Sequence, residues 1–186
     1  MRALISGIGG FAGAHLAKHL LESGDEVMGC SSRGSWPPEI PATVTNSATI
    51  FRWDISQGMP TATRRQISEF APEAVYHLAA ISTTSACGND EPTPQAVEVN
   101  VQGTAAVLDL VSSLASRPRL VFASSCYVYA PVSAERPKVT ENAQLGASNG
   151  YARSKNTRLQ RPQERGMWMR SLHVPFNIQD HASHRR

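Results

Sequence analysis

The stretch Leu4-Ile5-Ser6-Gly7-Ile8-Gly9-Gly10-Phe11-Ala12-Gly13 constrains the fold of this chain more than any other, because an apolar run, spaced glycines and the start of a helical pattern follow one another within it. Gly7 permits a turn where a Cβ would clash, Gly10 lets a pyrophosphate approach the backbone, and Gly13 lets helix pack on strand. Phosphates would then lie on a helix N-terminus. Three glycines alone equally suit an ordinary glycine-rich turn. The context favours the cradle: Arg2 to Ser6 reads as a strand, and Ala12, Leu16 and Leu20 recur at helical spacing until Gly24 offers a C-cap.

Strands and helices alternate from there on. Glu26 to Cys30, Thr49 to Trp53, Ala74 to Leu78 and Arg119 to Ala123 read as the second to fifth strands, with helices near Thr63 to Phe70 and Gln95 to Leu114. Residues 34–48, with Pro37, Pro38 and Pro41, are expected to form an irregular surface loop, and residues 80–94 a polar loop over a ligand. The alternation predicts an α/β fold, a Rossmann-like doubly wound parallel sheet with helices on both faces. Val97, Val101, Ala105, Leu108, Val111 and Leu114 make the long helix apolar over a wide arc, enough to cover a sheet and leave a face for a partner subunit.

A chain of 186 residues with 41% apolar content can bury one core. No run is long enough to span a bilayer and no signal pattern opens the chain, so a cytoplasmic location is expected, with no membrane partner. Cys30, Cys87 and Cys126 are odd in number and scattered, which argues against a disulfide framework or a zinc site and predicts buried thiols. Residues 153–186 carry eight Lys/Arg against two Asp/Glu, but dispersed, without the clustered face of a nucleic-acid surface, and none is expected to bind. His173, His181 and His184 lack a second ligand cluster, so no metal is expected.

The end of the second strand bears on the choice of cofactor. An acidic residue there would hold ribose hydroxyls; Ser31, Ser32 and Arg33 instead suit a 2′-phosphate and leave no carboxylate to repel it, which favours NADP over NAD. Arg33 could equally be a solvated loop charge. Two further features carry chemistry: Ser124-Ser125 at the end of the fifth strand, and Tyr151-Ala-Arg-Ser-Lys155, whose Tyr and Lys share a helix face. A phenol ionises near ~10, so a nearby ammonium and an oxidised nicotinamide are expected to favour the phenolate and make Tyr151 a proton shuttle. Ser125 could hold the reacting oxygen beside it.

With these motifs in order, residues 1 to about 155 resemble the short-chain dehydrogenase/reductase superfamily, in its extended branch of NAD(P)-dependent nucleotide-sugar epimerases, dehydratases and reductases. The carriers are Gly7-Ile-Gly-Gly10-Phe-Ala-Gly13, Asp54, His77-Leu-Ala-Ala80, Asn100-Val-Gln-Gly103-Thr104, Ser125-Cys-Tyr-Val128-Tyr129 and Tyr151-Ala-Arg-Ser-Lys155. The resemblance implies Ser125, Tyr151 and Lys155 as the catalytic triad. It implies cofactor contacts from Gly7, Gly10, Phe11, Gly13, Ser32, Arg33, Asp54, Ile55, Leu78, Ala79, Ala80, Asn100, Tyr151 and Lys155, and substrate contacts from Thr83, Ser125 and Asn177. It also implies a homodimer built on the Gln95–Leu114 and Tyr151 helices.

Gly10-Phe-Ala-Gly13-Ala-His-Leu and Val174-Pro-Phe-Asn177-Ile are most similar to the GDP-mannose 4,6-dehydratase and GDP-4-keto-6-deoxymannose reductase group. Dehydratases of this kind place an acid just after the catalytic hydroxyl. Cys126 and Tyr127 stand there, which favours a reductase or epimerase. Pro162 is expected to break the helix that follows Lys155, and Leu172 to Ile178 to form a sixth strand. The expected organisation is a dinucleotide-binding domain over 1–178, divergent after 155, and a basic tail over 179–186. The substrate lobe is missing from this reading, so a truncated dinucleotide-binding module without turnover is the alternative.

Overall fold

The computed structural model describes residues 1–131, 139–140 and 143–156, together with the backbone of 169–172. Its elements run β1 (Arg2–Ser6), α1 (Phe11–Glu22), β2 (Glu26–Ser31), α2 (Ala42–Thr45), β3 (Thr49–Arg52), α3 (Thr61–Phe70), β4 (Ala74–His77) and α4 (Thr84–Cys87). Then come α5 (Pro94–Ala96), a π-helical stretch (Val97–Gly103), α6 (Thr104–Ser113), β5 (Arg119–Ala123), a 3-10 turn (Cys126–Val128), α7 (Gly150–Asn156) and β6 (Met169–Leu172). All strand pairs are parallel, in the order β3-β2-β1-β4-β5-β6.

Successive strand residues point to opposite faces, and both faces are apolar, as a sheet covered on each side requires. Leu4, Met28, Val75 and Leu120 pack beneath Ile67 of α3 and Val107, Leu108 and Val111 of α6. On the other face Ala3, Ile5 and Val27 pack against Ala17 and Leu20 of α1 and Val44 of α2. The register brings Ser6 level with Cys30 and with His77, so the strands end together. Strand order reverses between β1 and β4, and the crevice at that switch point is where such sheets bind ligands.

Four expectations change. The proline-rich 34–48 loop contains one helical turn, α2, entered from Pro41, whose fixed φ suits a helix start. The 80–94 loop contains another, α4. The long helix is not uniformly α: Val97–Gly103 widens to π geometry, which turns Asn100 into the interior. On it Leu108, Val111 and Leu114 are buried, whereas Val97, Val101 and Ala105 are only half-buried. The expected sixth strand meets the observed β6 only at Leu172. The remainder of that segment, the break at Pro162, Asn177, the three C-terminal histidines and the basic tail lie outside the described residues. No helix among the described residues is long and apolar enough to cross a membrane.

Candidate functional site

Gly7 leaves β1 with φ +77°, and a Cβ there would lie 2.8 Å from the Ala79 nitrogen, so β1 and the turn after β4 approach as only glycine allows. A Cβ on Gly13 would run into the Gly7 carbonyl and lie 2.7 Å from Ile8 Cα; this glycine seats α1 against the turn. Gly10 is the N-cap, with no side chain capping the helix and no acid in its first turn. The first N–H groups of α1 therefore lack intrahelical acceptors, and the positive end of the helix is available to an anion.

This turn opens into a cleft of about 740 Å³ along the C-terminal strand ends, a size ordinary for a small-molecule site. Of the expected cofactor residues, Gly7, Gly10, Ser32, Arg33, Asp54, Ile55, Leu78, Ala79 and Ala80 line it. Asp54 is partly engaged: its carboxylate accepts from the Ser56 N–H at 3.0 Å and the Ser56 hydroxyl at 2.7 Å. Phe11 stands 86% exposed at the start of α1, edge-on to His15, and Gly13 lies behind the cradle. Asn100 is buried and does not itself line the cleft. Its amide oxygen accepts from Ile81 N–H at 2.8 Å, and its NH2 donates to Ile81 O at 3.0 Å and Ser154 Oγ at 2.9 Å. The cleft also includes Trp36, Glu39, Trp53 and Gln95, which sequence reasoning missed. Glu39 adds a carboxylate to the cleft that Arg33 also lines, delivered by the proline-rich loop and not by the strand end.

The second group of residues forms around the end of β5. Ser125 caps the 3-10 turn, its Oγ accepting from Tyr127 N–H at 3.2 Å. Across from it α7 is seated by Gly150, where a Cβ would lie 2.6 Å from the Glu91 carbonyl, and is capped by Asn149 Oδ1 accepting from Ala152 N–H at 2.8 Å. Tyr151 and Lys155 thus sit one turn apart, 9% and 4% exposed. The Lys155 ammonium donates to Ala123 O at 3.2 Å and lies 5.2 Å from the Phe122 ring centre. Burial holds its pKa down, at about 8.

Burial also raises the Tyr151 phenol above its ordinary pKa; the opposing pull comes from a hydrogen bond with Ser125. In the protein by itself desolvation outweighs that pull, and the Lys155 ammonium, expected to favour the phenolate, instead donates to the β5 carbonyl. Cys30 and Cys87 are buried, and burial pushes the Cys30 thiol up to about 12, but Cys126 is half-buried beside Ser125, contrary to expectation. Thr83 is exposed at the start of α4 and does not line the cleft. Neither Ser125, Tyr151 nor Lys155 lines the cleft itself; they form a second cluster at the end of β5. The Ser124 hydroxyl in the same turn is buried with no partner among the described residues. The uncapped helix start and the glycine cradle could hold a diphosphate.

The family model described as "NAD dependent epimerase/dehydratase family" matches residues 3–160. A UDP-glucose 4-epimerase of Streptomyces lividans is 30% identical over 155 residues, covering 82% of this chain and 44% of that protein. The structure of Thermus thermophilus UDP-glucose 4-epimerase with NAD superposes with a TM-score of 0.73 at 24% identity, covering 93% of this chain and 54% of the other. That of Bacillus anthracis dTDP-glucose 4,6-dehydratase with NAD gives 0.76 at 19%, with the same coverage. The chain spans about half the length of these proteins.

Proposed function

The chain belongs to the NAD dependent epimerase/dehydratase family, and from that premise we propose that it is an NAD(P)-dependent epimerase or reductase of a nucleotide-activated sugar, with 4-keto reduction of a nucleotide 6-deoxysugar as its reaction. The observation that carries this reading is the meeting of Ser125, Tyr151 and Lys155 at the end of β5, beside a glycine-cradled cleft. Bound there, a reduced nicotinamide supplies hydride. The buried phenol of Tyr151 stays protonated and can give its proton to a carbonyl oxygen. Ser125, hydrogen-bonded to that phenol, orients the same oxygen. Cys126 and Tyr127 offer no carboxylate for elimination, which favours a reductase or epimerase over a dehydratase. The GDP-linked sugars are the substrate class we favour, on Gly10-Phe-Ala-Gly13-Ala-His-Leu. Incubated with NADPH and a panel of 4-keto nucleotide sugars, the protein is expected to consume NADPH, and Tyr151→Phe to abolish consumption while the fold persists. Undiminished turnover in that variant overturns the mechanism.

NADP is the cofactor we favour, on the exposed Ser32 and Arg33 at the cleft. A charge-assisted bond from Arg33 to a 2′-phosphate contributes about 1.5–3 kcal/mol, a preference of roughly ten- to a hundredfold. Arg33→Ala is expected to erase it in paired calorimetric titrations of NADPH and NADH at one ionic strength. Equal affinities in the unmodified protein defeat the assignment, and Glu39 then stands as the ribose-side group. A second reading, a dinucleotide-binding module without turnover, rests on the glycine cradle of Gly7, Gly10 and Gly13 alone. Cofactor binding without consumption on any sugar nucleotide selects it.

A further inference from the structure

Ser6, His77, Thr104 and Asn100 are all buried. His77 Nδ1 lies 2.6 Å from Ser6 Oγ, and its Nε2 lies 3.0 Å from Thr104 Oγ1. The Thr104 hydroxyl is in turn 2.6 Å from the Asn100 carbonyl oxygen. A carbonyl can only accept, so the Thr104 proton goes to Asn100, and Thr104 Oγ1 must accept from His77. His77 Nε2 therefore carries the ring proton. Nδ1 is left bare and accepts from the Ser6 hydroxyl, whose oxygen receives the Ala79 N–H at 3.4 Å.

We propose that His77, fixed as the neutral Nε2–H tautomer, is a positioning residue that ties the cofactor cradle to the helix bearing Tyr151 and Lys155. One end of the chain of bonds sets Ser6, which precedes Gly7 in the cradle, and Ala79, which packs against Gly7 where a Cβ would clash. The other reaches Asn100, whose amide grips the Ile81 backbone in the cleft and Ser154 on α7; the Ser154 hydroxyl donates to Tyr151 O at 2.7 Å. The ring donates from Nε2 and accepts at Nδ1, so an imidazolium, with two donors, would force the Ser6 hydroxyl to turn from donor to acceptor and give up its proton's partner. Burial excludes that form and the Lys155 charge reinforces the exclusion, holding the His77 pKa at about 3, and the Phe122 ring 5.6 Å away brings no charge.

The tautomer itself depends on no reading of function; only the role as a positioning residue rests on the proposed cofactor site. Nitrogen-15 NMR of the full chain without cofactor is expected to show His77 as the neutral Nε2–H form, unchanged through the ordinary imidazole range. A proton on Nδ1, or titration between pH 6 and 7, overturns the proposal. Ser6→Ala is expected to raise amide hydrogen exchange about tenfold at Ile81 and along α7, across the molecule from the change. If exchange rises only at Ala79, the ends are not linked and the positioning role falls. Should the unmodified protein bind no dinucleotide, the proposed function fails while both readouts still decide this inference.

Discussion

Lys155 offers the sharpest test of the site's physics, because it is 4% exposed and among the described residues its ammonium faces a carbonyl and an aromatic ring but no carboxylate. The folded protein sheds this proton at about 8, against 10.5 for the free side chain. That gap, at ~1.4 kcal/mol per pH unit, amounts to about 3 kcal/mol by which folding disfavours the charged form. The sign follows from proton binding. Below pH 8 both states hold the proton and the full penalty is present; between about 8 and 10.5 only the unfolded chain holds it, so stability from this group rises with pH; above 10.5 the penalty is gone. Lys155→Met keeps the volume and removes the charge. Urea titrations of both proteins at steps from pH 7 to 10.5 are expected to show the unmodified protein gaining about 3 kcal/mol relative to the variant, since every other titrating group is shared and cancels. A difference that stays flat with pH means the ammonium is not desolvated as the geometry implies.

Gly13→Ala drives a Cβ into the backbone of Gly7 and Ile8, which cannot yield, and is expected to cost about 1–3 kcal/mol or more and weaken dinucleotide binding. Gly9→Ala, whose Cβ meets its nearest neighbour at 3.6 Å, is the matched control and should be near neutral by thermal melting. We expect a homodimer through the half-buried Val97, Val101 and Ala105 face; light scattering at tens of micromolar should give twice the monomer mass, and a monomer mass counts against it.

How much of this was legible in the sequence follows the range of the forces involved. The strands β1 to β5 and α1 were readable because periodicity, glycine placement and proline breaks act over a few residues, and their alternation with helices implied a parallel sheet, though not the order of its strands. The sharing of one helix face by Tyr151 and Lys155 was readable for the same reason, as was the position of Ser125 at the end of β5. Short-range geometry settles such things before any tertiary contact forms. The widened turn at Val97–Gly103 was not readable, since it depends on Asn100 meeting Ile81 and Ser154 from distant segments. Nor was the presence of Glu39 and Trp36 in the cleft, because a proline-rich loop has no period from which to read its direction. The protonation of the site was decided only by the fold: sequence placed an ammonium one turn from a phenol, and burial then set the dielectric that keeps Tyr151 protonated and brings Lys155 to about 8. Ser6, His77 and Thr104 are strangers along the chain; the register of β1 on β4 and the crossing of the long helix make them one hydrogen-bonded line. Pairing and desolvation are properties of packing, and packing sums over residues that no local pattern connects.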